Sequence, residues 1–211
     1  MRVIRLALPK GRNLAAVSDA FRAAGIPLDG LEDGSRRLWR DFPEHGFGAL
    51  LVKDRDLPLY VLRGVADCGV VGRDVLDEVD GDLLVPLEIA AGGSRLSLIA
   101  PSGRALPAAG ENVRLATKYP RLAGRWLERQ SWSAELLELS GGIELAPLVG
   151  LADFILDIVQ SGATLRAHGL VELAVVQEIR PCFVVHRSAW QRRRAEIGRL
   201  VGALEAAGVA A

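Results

Sequence analysis

Cysteine is scarce in this chain: only Cys68 and Cys182 occur in 211 residues, and they form no CxxC or CxxxC pair. Neither a zinc site of that spacing nor a disulfide framework is indicated. The three histidines, His45, His168 and His186, are far apart and share no metal-ligand spacing. None stands in a visible Ser/His or Cys/His arrangement, so nucleophilic and metallohydrolase catalysis lack a candidate, and no protein metal site is expected. No sign of charge predominates, since Lys+Arg and Asp+Glu number 26 each. Without a global field the chain is not drawn to nucleic acid or to an anionic membrane, and any anion site has to be local. No apolar run approaches the roughly 20 residues of a membrane span. The amino-terminal MRVIRLALPKGR has neither a long apolar region nor a small-residue cleavage site, so a cytoplasmic protein is expected.

What the sequence does contain is an alternation of short apolar runs with helix-period segments, the pattern of α/β structure. Strands are predicted over 3–8, 38–40, 49–52, 68–71, 95–100, 113–117, 134–139, 154–159, 173–179 and 182–186. Asn13 is a candidate N-cap for a helix carrying Leu14, Val17, Phe21 and Ala24, which Gly25 stops. Further helices are predicted from Leu57 to about residue 63, over 121–130 and 145–149, and as one closing amphipathic helix over 189–204. That last helix sets Trp190, Ile197, Leu200, Val201 and Leu204 against Arg192, Arg193 and Arg194. The order of these units suggests two α/β lobes, residues 1–90 with 176–211 and an inserted 91–175, with ligand between them.

Five stretches are candidates for chemistry. In ILDIVQSGATLRAHGL (residues 155–170), an apolar run carries Asp157 four residues before a Ser161-Gly162-Ala163-Thr164-Leu165 loop. A glycine turn lets backbone N–H groups converge, Ser161 and Thr164 add hydroxyls, and Asp157 could accept hydrogen bonds from ribose hydroxyls. The competing reading is an ordinary strand–turn–helix with a capping hydroxyl, but a carboxylate in an apolar run is costly unless paired or functional. Asp153 reads as a cap or turn residue. The turn Pro9-Lys10-Gly11-Arg12 ends a strand where α/β proteins bind ligands, and it suits a polyphosphate or is a plain basic turn. In GVADCGVVGRD (residues 64–74) glycines flank a strand and would admit a flat ligand, with Asp67 and Asp74 left open between capping and ligand contact. Lys118, after the 113–117 strand, faces an anion or solvent. Glu144 sits where a helix begins and caps it or serves the site.

Taken together, ALPKGR, GVADCGVVGRDVL, RLATKYP and LSGGIELAPLVGLADFILDIVQSGATLRAHGL resemble the ATP phosphoribosyltransferase family. The last block is the most specific, since E-x-A-P, G-x-A-D and D-x-V-x-S-G-x-T follow one another. The resemblance implies a two-lobed α/β fold like type II periplasmic binding proteins, with the active site in the cleft between lobes. It implies condensation of ATP, through adenine N1, with phosphoribosyl pyrophosphate (PRPP) in the first step of histidine biosynthesis. The chain resembles the short form, which lacks the regulatory domain and works as a homodimer within a hetero-oligomer. The partner there is a regulatory subunit resembling a histidyl-tRNA synthetase. Magnesium would be held mainly by substrate phosphates.

Carried over residue by residue, Ser161, Gly162, Ala163, Thr164 and Leu165 would hold the 5-phosphate of PRPP, and Asp157 its 2- and 3-hydroxyls. Lys10, Gly11, Arg12, Asp67, Gly69 and Gly72 would contact ATP and pyrophosphate, with Glu144 and Lys118 as further contacts. Asp157, Lys10 and Arg12 are the catalytic candidates. Two positions depart from the family pattern: His168 stands for an expected Asn, at a helix end where either can cap, and Lys53 for an expected Arg. Lys53 would lose a bidentate phosphate grip. A purine or pyrimidine phosphoribosyltransferase would carry two adjacent acids before its loop, and a non-catalytic nucleotide sensor would release no pyrophosphate.

Overall fold

The computed structural model describes residues 3–31 and 38–211, without the side chain of Arg12. In chain order the elements are β1 (Ile4–Pro9), α1 (Arg12–Ala23), β2 (Trp39–Phe42), β3 (Phe47–Val52), α2 (Leu57–Leu62), β4 (Cys68–Gly72), α3 (Arg73–Val79) and β5 (Leu84–Glu88). They continue with β6 (Ser94–Pro101), β7 (Asn112–Thr117), α4 (Pro120–Leu127), β8 (Ser133–Glu138), α5 (Leu145–Leu148), β9 (Phe154–Val159), α6 (Ala163–Ala167), β10 (Leu170–Ile179), β11 (Pro181–Val185), α7 (Arg187–Arg192) and α8 (Arg194–Ala206). The chain divides into two compact units, Met1–Gly93 with Arg180–Ala211, and Ser94–Ile179.

In the first unit the described residues form a sheet in the order β2-β3-β1-β4-β11-β5. The inner strand β1 runs parallel to both β3 and β4. A parallel strand covered on both faces is apolar throughout, and all of Leu6, Ala7 and Leu8 are buried. Helix α1 buries Leu14, Val17, Ala20 and Phe21 in the same core, the spacing of one helical face. Asn13 does not cap α1. Gly11, at φ +83°, precedes the helix, and the Asn13 amide donates to Asp54 Oδ2 at 2.8 Å instead.

The second unit has the order β10-β6-β9-β7-β8, with β7, β8 and β9 parallel and β6 and β10 antiparallel to their neighbours. One face packs Leu96, Leu98, Leu115, Phe154 and Leu156 under α4, where Trp132 lies edge-on to Trp126 and near Phe154. The other face carries Ile99, Ala116, Ile155 and Val159 with α5 and α6. Alternation along β9 therefore sends Ile155, Asp157 and Val159 to this second face.

Three further differences appear. The closing amphipathic helix is broken at Arg193 (φ −130°, ψ 31°) into α7 and α8, although Ile197, Leu200, Val201 and Leu204 are buried as the spacing required. Strand β5 was not foreseen, and β10 begins at Leu170, ahead of the residue-173 start read from the sequence. Among the described residues no helix is long and apolar enough to cross a membrane.

Candidate functional site

Parallel strands bring their carboxyl ends to one edge of a sheet, where the following loops gather and α/β proteins bind ligands. In the second unit Thr117 aligns with Glu138 across β7–β8 and with Leu156 across β7–β9. The segments after these strand ends therefore share an edge: Lys118, the 140–144 loop with Glu144, and the 161–165 loop. Lys118 Nζ donates to Asp157 Oδ2 at 3.0 Å, with the carboxylate side chain 14% exposed and the ammonium 28% exposed. The acid that looked costly in an apolar run is thus paired. Its neighbour across the sheet is Ser97, fully buried, whose hydroxyl donates to Glu172 Oε1 at 3.2 Å. Arg95 holds Glu172 through Nε and Nη2, both at 2.6 Å. That hydrogen bonding keeps the Glu172 carboxyl below the usual carboxylate range.

The loop beyond Asp157 turns at Gly162, whose φ of +68° favours glycine. Ser161, Ala163 and Thr164 are exposed, and Ser161 Oγ accepts a long bond from the Ala163 N–H at 3.3 Å. The Leu165 side chain is buried in the core, so only its backbone can face a ligand. His168 follows α6, exposed, in the C-cap position. Glu144 precedes α5 half-buried and its side chain makes no capping bond. Asp153 lies in the bend just before β9, and its carboxylate is engaged across the sheet. It accepts the Arg114 backbone N–H at 2.8 Å and the Arg114 guanidinium at 3.0 and 3.2 Å, tying β9 to β7, and these bonds hold its carboxyl low.

In the first unit the equivalent edge follows β1, β3 and β4, with Pro9 aligned to Val52. It gathers Lys10, Gly11, Lys53, Asp54, Gly72 and Arg73. The Lys10 N–H donates to the Val52 carbonyl at 2.9 Å, and Lys53 is exposed at the head of the turn into α2. Arg12 opens α1 there, its side chain outside the described residues. Arg73 and the half-buried Glu88 form an ion pair, with Asp77 3.8 Å from the same guanidinium.

Two expected members are not brought to this edge. Asp67 precedes β4 at its amino end, where the Arg5 N–H donates to its Oδ2 at 2.9 Å and the His186 N–H to its carbonyl at 3.0 Å. Gly69 is enclosed by protein instead of awaiting a flat ligand: a Cβ there would lie 2.9 Å from both the Ala7 carbonyl oxygen and Leu57 Cδ2. Asp74 is buried in the first turn of α3. The sequence also hid a Ser/His contact, Ser188 Oγ to His186 Nδ1 at 2.7 Å, local to the start of α7. Both cysteines are buried thiols. Burial pushes Cys182 up to about 11 and Cys68 higher still, which makes them poor nucleophiles.

Comparison with known proteins first defines the class. The alkanesulfonate-binding protein SsuA of Xanthomonas axonopodis, bound to MOPS, superposes with a TM-score of 0.62 over 97% of this chain and 72% of that one. At 16% identity this shows the fold alone: an α/β architecture of the type II periplasmic-binding-protein kind. The ATP phosphoribosyltransferase family model matches residues 53–206. An ATP phosphoribosyltransferase of Thermus thermophilus is 42% identical over 198 residues, 94% of this chain and 93% of the relative. The ATP phosphoribosyl transferase (HisG:HisZ) complex from Thermotoga maritima contains a chain 32% identical, with a TM-score of 0.78 over 97% and 98% of the two chains. The chain belongs to the ATP phosphoribosyltransferase family, enzymes that transfer a phosphoribosyl group and are glycosyltransferases by reaction class.

Proposed function

We propose that this chain joins N1 of the ATP adenine to C1 of PRPP, releasing pyrophosphate, as the cytoplasmic first step of histidine biosynthesis. The observation that carries the reading is Asp157, held half-buried by Lys118 beside the glycine-turned 161–165 loop, in a chain of this family. Ser161, Gly162, Ala163, Thr164 and the Leu165 backbone hold the 5-phosphate. Asp157 accepts hydrogen bonds from the 2- and 3-hydroxyls, and Lys118 and Glu144 line the same edge. Lys10, Gly11 and Arg12, with the Gly72 strand end, serve ATP and pyrophosphate, and Lys53 adds a point charge there. Asp67 and Gly69 take no part in binding.

The adenine nitrogen attacks with its own lone pair, and the C1–O bond breaks with its electrons leaving on pyrophosphate. No strong base is required. Cationic character grows on the ribose as that bond breaks, as in other glycosyl transfers. The chain contributes chiefly by positioning two substrates and by offsetting charge on the departing group. Magnesium would be held mainly by the substrate phosphates, where Mg²⁺ commonly binds. Bound there, it neutralises the charge of the pyrophosphate. The protein acts in a hetero-oligomer with a regulatory subunit, a reading supported by the two-component complex of the Thermotoga maritima relative.

The experiment is pyrophosphate release from ATP and PRPP with magnesium, with and without the regulatory subunit. Release that needs both substrates supports the enzyme. PRPP binding without any release under either condition would leave a nucleotide sensor, and the proposal would fall.

A further inference from the structure

The phosphate loop has a difficulty that its hydroxyls and glycine do not solve. Every backbone amide offered to an anion belongs to a peptide plane whose carbonyl oxygen repels that anion. A trans peptide sets C=O and N–H on opposite sides, so fixing one aims the other. In this chain the two carbonyls at the loop's entrance each lie against an arginine. Arg166 Nη1 donates to the Ser161 carbonyl at 3.2 Å, and its guanidinium packs over Gly162, where a Cβ would meet Nη1 at 3.3 Å. Arg95 Nη1 reaches the Gln160 carbonyl at a long 3.5 Å. Arg95 is itself fixed from the other side by both oxygens of Glu172, which Ser97 also engages next to Asp157.

We infer that Arg95 and Arg166 are positioning residues for PRPP: by holding the Gln160 and Ser161 carbonyls they turn the Ser161 and Gly162 N–H groups toward the 5-phosphate. The inference rests on the proposed role of the 161–165 loop and deepens it. Glu172 acts one step further out, locking the Arg95 fork, since a bidentate arginine–carboxylate pair fixes orientation as well as position. Neither arginine needs to touch the phosphate. Arg95, on β6, lies outside the motifs that mark the loop in sequence, and Arg166 lies within α6, one residue past the 161–165 loop.

The test is calorimetric titration of the full chain with PRPP, ribose 5-phosphate and ATP, each with magnesium. It compares wild type with Arg95→Gln, Arg166→Gln, the double variant and Thr164→Ala. Each single arginine variant should bind PRPP and ribose 5-phosphate about tenfold more weakly, the loss expected when an oriented hydrogen bond is removed. The double variant should lose more, while ATP affinity stays within about twofold. Glu172→Gln should weaken PRPP in the wild-type background and add little to Arg95→Gln. If the double variant keeps wild-type PRPP affinity while Thr164→Ala loses it, the loop reading stands and the positioning role is overturned. Parallel loss of PRPP and ATP binding would overturn it too, as general damage. If Thr164→Ala and the arginine variants all bind PRPP like wild type, the loop itself is not the phosphate site.

Discussion

Asp67 lies one residue before β4, and Asp157 lies two residues before the end of β9. Both are carboxylates set against strands otherwise made of Val, Ile, Leu, Phe, Gly and Cys. Asp67 is 8% exposed and spends an oxygen on the backbone N–H of Arg5, closing the amino edge of its sheet. Asp157 meets a side chain, the ammonium of Lys118, at the carboxyl edge, where the loops after parallel strands collect. The first carboxylate accepts the backbone N–H of Arg5 on β1, tying that strand to the start of β4. The second keeps acceptor capacity beside a small-residue loop. On the proposed reading, burial and residue type alone do not separate a structural acid from a ligand-binding one, and the end of the strand it occupies does.

The largest expected effect that tests this contrast is on activity. Asp157→Ala should cut kcat/KM for PRPP by about a hundredfold or more, since two charge-assisted hydrogen bonds are lost at about 1.5–3 kcal/mol each. Its urea midpoint should move little. Asp67→Ala should do the reverse: a loss of about 1–3 kcal/mol in urea unfolding, from a buried N–H left unmet, with PRPP and ATP affinities at wild-type values. Gly69→Ala should cost about 1–3 kcal/mol through overpacking against Ala7 and Leu57, again without a change in nucleotide affinity. Acid unfolding provides a milder effect. The Asp153 and Glu172 carboxyls are held below their ordinary range by Arg114 and Arg95. Their contribution is present above the unfolded carboxylate pKa and is lost as pH falls through the lower folded values, below about pH 4. Asp153→Asn should flatten that part of a stability-against-pH curve. Smallest of all, Arg187→Gln removes the exposed pair with Asp82 and should leave the urea midpoint unchanged.

The sequence carried β9 and its loop plainly, because a β-branched run, a lone acid and a Ser-Gly turn are all local signals. It misled in grouping Asp67 with Gly72: the two are close in sequence but on opposite ends of a five-residue strand, roughly 16 Å apart at 3.3 Å per residue. Strand β5 was hidden by Pro86, which cannot donate to an inner ladder; the strand stands at the sheet's edge, where proline is tolerated. The break at Arg193 has no Gly or Pro to announce it, and the apolar spacing runs on across it. The Arg95–Glu172 clamp joins side chains of β6 and β10 that are 77 residues apart, which no spacing rule encodes.

The most direct test is PRPP titration, with magnesium, into wild type, Asp157→Ala and Asp67→Ala under one set of conditions. Asp157→Ala should lose PRPP binding while Asp67→Ala matches wild type at a temperature where it is folded, as the proposed role of Asp157 requires. Undiminished binding by Asp157→Ala, or a selective loss of PRPP by folded Asp67→Ala, would contradict it.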